Sequence, residues 1–265
     1  MAEERARVLI VAEPGSTHDG DPDRMRELIT IAAAAGADVC KFQWVSDPAR
    51  LCARRRAPDS LEAYCRIAFP ERWHVELARA CATAGIEYAC TSYLPEDVRI
   101  VALFVERFKI ASFEAQDLAF LRAHERYGRP ILVSTGMASA KELQRLLARR
   151  RRQPLVRLLH CVSAYPVPIE ELNLKAIHQY RLDGYSDHSA CVYGGMLAVA
   201  AGAKILEVHF RLDDADPNNP DHRHSLTPAE LREYVANVRF AEQAMGDGVK
   251  RLMPSERAME KFRVR

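Results

Sequence analysis

Eight short apolar runs separated by longer amphipathic stretches restrict the fold of this chain more than any other feature. The runs lie at 8–12, 39–42, 88–91, 108–111, 131–134, 157–161, 183–186 and 205–210. Helical periodicity fills the intervals at 23–35, 72–84, 96–105, 118–127, 140–151, 172–179 and 193–201, and returns at 227–241. Two of these stretches open with capping boxes, Ser139 with Glu142 and Thr227 with Glu230, in which side chain and backbone satisfy each other's donors at a helix start. Strands that alternate with helices are parallel strands joined by crossovers. Eight such units in 265 residues predict an α/β fold closed into a single-domain (β/α)8 TIM barrel over residues 1–245. Residues 46–70 break the rhythm after the second run and read as a long βα loop, the kind of connection that covers a site. Residues 246–265 read as a polar, basic tail or linker.

Composition narrows the function classes. With 38 basic and 36 acidic residues the net charge is +2, so no global field draws nucleic acid or a membrane. The arginine clusters at 54–56 and 149–152 read as solvated helix ends, because no aromatic residues interleave with them as they do in nucleic-acid grooves. The N-terminal MAEERARVLIVAEPG has no signal-peptide pattern, and no apolar stretch approaches the length of a membrane span. Seven scattered cysteines without a CxxC pair fit reduced thiols and a cytoplasmic location. No GxGxxG follows the first run, which argues against dinucleotide binding.

Polar residues collect where the apolar runs end: Glu13, Lys41 and Gln43, Thr91, Lys109 with Ser112 and Glu114, Ser134, Ser163 with Tyr165, Ser186 with His188, and His209. All eight strand C-termini of a barrel open onto one face, where active sites of this fold lie. Two lysines ringed by hydroxyls make a pocket for a phosphorylated or carboxylated anion. GYSDHS, at 184–189, holds serine, aspartate and histidine but not a hydrolytic triad, since successive strand side chains alternate in direction. Ser186 and His188 share one direction, and His209 ends the adjacent run. Two histidines beside oxygen donors suit a divalent transition ion with positions left open for substrate. Glu13 and Glu114 remain for proton transfer or hydroxyl binding.

The chain resembles the N-acetylneuraminate (sialic acid) synthases and their nonulosonate relatives. The matching segments, in order, are AEPGSTHDGD (12–21), GADVCKFQ (36–43), FKIASFEAQDL (108–118), GRPILVSTGMAS (128–139) and LLHCVSAYPVP (158–168). GYSDHS, ILEVHF (205–210), PDHRHSLTPAEL (220–231) and GDGVKRLMPSE (246–256) complete the series. The resemblance implies a barrel enzyme, a transferase that condenses phosphoenolpyruvate with an open-chain aldose. The products would be a 2-keto-3-deoxy sugar acid and phosphate, and the cofactor a divalent ion, Mn²⁺ first with Mg²⁺ or Co²⁺ as alternatives. It assigns His188 and His209 to the metal, and Lys41, Thr91, Lys109, Ser112, Ser134, Ser163 and Ser186 to phosphoenolpyruvate. Glu13, Gln43, Glu114, Tyr165 and Asp221 fall to the sugar, with Glu114 as proton handler and Glu13 holding a hydroxyl. A homodimer is also implied.

Two departures accompany the resemblance. The family's E-x-G-x-N-H-N-G reads Glu13-Pro14-Gly15-Ser16-Thr17-His18-Asp19-Gly20 here, with Thr17 and Asp19 replacing asparagines near the sugar end. The family's C-terminal antifreeze-like domain has no counterpart in these residues, which leaves the acceptor open. Two alternatives stand beside the synthase reading. One is a 3-deoxy-heptulosonate or octulosonate type of synthase, with an aldose phosphate met by Arg54, Arg55 and Arg56. The other is a barrel acting only as a binding partner.

Overall fold

The computed structural model describes residues 7–264 and contains a closed barrel of eight parallel strands in chain order. The strands are β1 (Leu9–Gly15), β2 (Val39–Trp44), β3 (Glu87–Ser92), β4 (Phe108–Ile110), β5 (Ile131–Ser134), β6 (Val156–Cys161), β7 (Gly184–Asp187) and β8 (Ile205–His209). β1 pairs with both β2 and β8, which closes the ring. The barrel fold expected from the eightfold alternation is therefore present.

Strand parity sorts the residues into two environments. Outward-facing Ile10, Ala12, Cys40, Phe42, Tyr88, Phe108 and Val133 join the helices in the main apolar core. Inward-facing Val11, Val39, Ala89, Leu132, Leu159 and Ile205 form a separate apolar plug inside the ring. Two residues further along several of these strands the interior turns ionic. Glu13 follows Val11, Lys41 follows Val39, Thr91 follows Ala89, Ser134 follows Leu132 and Glu207 follows Ile205. The plug closes the barrel from below, so this polar layer opens only toward the strand C-termini.

The helices follow the expected periodicity with local differences. Both capping boxes are formed, at Ser139 for Ala140–Arg152 and at Thr227 for Pro228–Met245. The stretch at 96–105 forms only one helical turn, Val98–Val101. The stretch at 172–179 helps form the shorter helix Lys175–Tyr180. The long connection at 46–70 is not irregular: it holds helices Pro48–Arg55 and Leu61–Cys65. The arginine clusters are solvated only in part, at Arg56, Arg151 and Arg152. Arg54 pairs with Asp117, Arg149 with Glu125 and Arg150 with Asp183, while Arg55 turns inward. All seven cysteines are free thiols. Among the described residues no helix is long and apolar enough to cross a membrane. Residues 254–262 of the tail form an exposed 3₁₀ segment.

Candidate active site

A cavity of about 260 Å³ opens at the C-terminal end of the barrel. That volume is near the lower bound for small-ligand sites and suits compact substrates rather than a dinucleotide. Its floor is the polar layer above the plug. Lys41 Nζ donates to Thr91 Oγ1 at 2.8 Å and pairs with Glu13. Glu207 lies between the two lysines, 3.6 Å from Lys41 and 3.3 Å from Lys109, and accepts from Ser186 Oγ at 2.9 Å. Burial alone would raise the Glu207 carboxyl, but Lys109 and Lys41 outweigh it and hold the group down to about 2. Burial pulls Lys41 down to about 8, with the Glu207 charge opposing part of the shift. Both lysines are more than nine-tenths buried, so the site stores two cations against two carboxylates with little water to screen them.

Hydroxyls surround this layer. Ser112 Oγ accepts from the Gly136 N–H at 3.1 Å, and Ser134 Oγ is buried with no partner among the described residues. Gly136 is required there by space: a Cβ would stand 2.1 Å from Ser163 Oγ and 2.7 Å from Ser112 Oγ.

Imidazoles line the upper wall. The rings of His188 and His209 lie 5.4 Å apart, and the ring of His224 lies 4.6 Å from His209. His188 Nδ1 donates to the Val162 carbonyl at 3.0 Å, which fixes the tautomer and leaves Nε2 with its lone pair. His209 Nδ1 and both nitrogens of His224 are buried with no hydrogen-bond partner among the described residues. Each such group costs about 1–3 kcal/mol, so this donor set fits a cation. His209, Asp221 and His224 each bring a ligand atom within 4.8 Å of the others. Asp187, the middle of GYSDHS, turns away from His188; it accepts from the Ser189 N–H and Oγ at 2.9 and 2.6 Å. It thereby braces the loop that carries His188.

The mouth is built by the long βα connection. Arg55 Nε and Nη2 donate to the two oxygens of Glu114 at 2.8 and 2.9 Å. The guanidinium lies over the rings of Tyr64, Tyr93 and Phe113. Burial raises the Glu114 carboxyl, and Arg55 offsets part of that rise.

Lys41, Gln43, Thr91, Lys109, Ser112, Ser134, Tyr165, Ser186, His188, His209 and Asp221 all line the cavity. Glu13 is fully buried beneath it on Lys41, Ser163 stands behind Gly136, and Glu114 lies behind Arg55. The β1-loop departures do not reach the cavity wall. Thr17 Oγ1 donates to the Pro14 carbonyl, and Asp19, at φ 49°, accepts from Arg66 and Asn219. His18 is fully buried against Phe42 and Phe69. Reading strand ends missed Glu207, Tyr93, Phe113 and His224, while Arg55 entered only through the aldose-phosphate alternative. The parity rule would have found the first two, because Glu207 precedes His209 by two positions and Tyr93 follows Thr91 by two.

With the geometry in place, comparison with known proteins assigns the family. Residues 28–250 match the model described as the NeuB family. The chain belongs to the NeuB family. It is 34% identical to N,N'-diacetyllegionaminic acid synthase of Campylobacter jejuni, over 94% of this chain and 81% of that protein. It is 32% identical to human N-acetylneuraminate-9-phosphate synthase, over 94% of this chain and 74% of the relative. A crystal structure of N-acetylneuraminic acid synthetase from Leptospira borgpetersenii in complex with citrate superposes with a TM-score of 0.87. That match has 28% identity and covers 97% of this chain and 91% of the other. A truncated 3-deoxy-D-arabino-heptulosonate 7-phosphate synthase from Thermotoga maritima shares the fold, with a TM-score of 0.70 at 15% identity.

Proposed function

We propose that this NeuB-family chain is a transferase that condenses phosphoenolpyruvate with an open-chain aldose. The products are a 2-keto-3-deoxy acid of the nonulosonate type and inorganic phosphate. The observation that carries the reading is the buried pair Lys41 and Lys109, ringed by Thr91, Ser112, Ser134 and Ser186. Two ammonium groups and several hydroxyls suit a small molecule bearing both a phosphate and a carboxylate. Gln43, Tyr165 and Asp221 line the same cavity and are left for the acceptor. The reaction forms a bond from C3 to the aldehyde carbon; water adds at C2, and phosphate departs with its bridging oxygen as the C2–O bond breaks. Orienting both reactants in one cavity supplies several kcal/mol of the catalysis. His188 and His209 would hold a divalent ion, Mn²⁺ first, whose chemistry is to draw electron density from the acceptor carbonyl.

The chain's own residues do the remaining work. Lys41 and Lys109 neutralise the donor and the phosphate as it leaves. Glu13 keeps Lys41 in place from below. Asp221 Oδ2 accepts from the Ser16 N–H and Oγ at 2.6 and 2.7 Å, which holds its carboxylate at the acceptor end of the cavity. Glu114 fixes Arg55 at the mouth and serves as proton handler for the acceptor. An aldose phosphate is the second reading, favoured by Arg55 in the wall. The bidentate Glu114 partner already neutralises that charge, so the unphosphorylated acceptor is preferred.

The test is phosphate release from phosphoenolpyruvate with Mn²⁺ across aldoses, N-acetylated hexosamines and aldose phosphates, beside a chelated control. Release that needs both ion and acceptor is expected. Release independent of acceptor, or none despite bound phosphoenolpyruvate across the whole panel, would sink the condensation reading.

A further inference from the structure

The function proposed above uses two imidazoles, yet three face one another. His224 sits on the short turn His222–His224 and is 1% exposed. Neither of its ring nitrogens has a hydrogen-bond partner among the described residues. Its ring lies 4.6 Å from His209 and 5.9 Å from His188, and all three residues line the same cavity. Asp221 Oδ1 stands 3.5 Å from His224 Nε2, close to the carboxylate support that metal-bound imidazoles regularly have. The other Asp221 oxygen is anchored to Ser16, so the carboxylate cannot swing freely. A fully buried imidazole without a partner is a poor packing element, whereas beside two others and a carboxylate it is a ligand in waiting.

We propose that His224 is a third protein nitrogen ligand of the divalent ion, so that the centre is tris-imidazole with Asp221 positioning His224. The inference rests on the reading of His188 and His209 as ligands and adds a residue that reading does not need. A third nitrogen changes ion preference. Imidazole suits borderline transition ions, and Mg²⁺ prefers oxygen donors and retained water. The chain therefore keeps Mn²⁺ or Co²⁺ against an excess of Mg²⁺.

The decisive measurement is the number of nitrogen couplings to Mn²⁺, by pulsed electron paramagnetic resonance on chelator-stripped, reloaded wild-type protein. Three strongly coupled imidazole nitrogens are expected, and two would overturn the proposal. A second readout compares metal affinity by calorimetry in wild type, His224→Ala and His222→Ala, the last a control on the same turn. His224→Ala should weaken Mn²⁺ and Co²⁺ binding about tenfold or more, the scale on which even supporting residues act. His222→Ala and Mg²⁺ affinity should stay unchanged. Equal Mn²⁺ affinity in wild type and His224→Ala would also reject the ligand role. Should His224→Ala fail to fold, the coupling count on the wild type still decides. Phosphate release separates the two ideas: two nitrogens with normal turnover defeats only the ligand inference, and three nitrogens without turnover defeats only the condensation reading.

Discussion

Glu207 is the residue on which the polar floor turns. It touches Lys109 and Ser186 directly, lies 3.6 Å from Lys41, and is 3% exposed. Removing its charge leaves two buried ammonium groups facing one another with only Glu13 to balance them. Glu207→Gln should therefore lower stability at neutral pH by about 3 kcal/mol, as expected when one partner of a buried ionic set is lost. The pH dependence fixes the cause. A carboxyl held at about 2, against an ordinary 4.5, contributes stability above pH 4.5 that is lost as pH falls toward 2. Thermal melts from pH 7 to pH 3 should show wild type and Glu207→Gln converging on the acid side. Parallel curves would mean that packing, not charge, explains the difference. Gly136 gives a steric counterpart. Gly136→Ala must push aside both Ser163 Oγ and Ser112 Oγ, so KM for phosphoenolpyruvate should rise about tenfold for a misplaced contact. The acceptor KM should be little changed, and a change in the acceptor KM alone would place those hydroxyls elsewhere in the reaction.

At the scale of elements, the connection after β2 builds part of the cavity mouth through Arg55. Helix Pro48–Arg55 is started by Asp47, whose side chain accepts from the Arg50 N–H, and ends with Arg55 locked to Glu114. Arg66 ties the same connection to Asp19 in the loop after β1. Arg55→Ala should raise the acceptor KM about tenfold while leaving phosphoenolpyruvate affinity within twofold. It should also lower stability by about 3 kcal/mol, because Glu114 is left buried and unpaired. Arg55→Lys should recover part of the stability but less of the acceptor affinity, since an ammonium cannot reproduce the fork. An unchanged acceptor KM in Arg55→Ala would remove this connection from substrate recognition. This element was also the least legible in the sequence. The eight strands were readable because parallel buried strands announce themselves as apolar runs. The polar site residues were readable because a barrel gathers strand ends on one face. Arg55 and His224 carry no such signal: an arginine in a basic cluster and a histidine in a turn look solvated until tertiary structure buries them. Glu207 was hidden differently, inside an apolar run where only its parity with His209 marks it as facing inward.

Across the whole molecule, one alternation produces both the stability and the site. Outward residues of each strand join the helices, while inward residues change from an apolar plug to a charged floor within two positions. The floor balances Lys41 and Lys109 against Glu13 and Glu207, so it can stay buried without a ligand. A bound dianion then competes with the carboxylates for the lysines rather than filling an empty charge. Because the barrel closes on itself, with β1 against β8, a ligand on four or more strands should stabilise the ring as one unit. Phosphoenolpyruvate at a hundred times its Kd adds about 2.7 kcal/mol, which for a chain of this size corresponds to about 5–10 °C in Tm. Far-UV circular dichroism and the fluorescence of Trp44 and Trp73, both near β2, should report the same shift. Lys109→Ala, which removes one cation on β4, should abolish it in both signals. A shift seen in tryptophan fluorescence alone would locate binding at the β2 side only. In that case the ring of strand-end hydroxyls would not act as a single anion site.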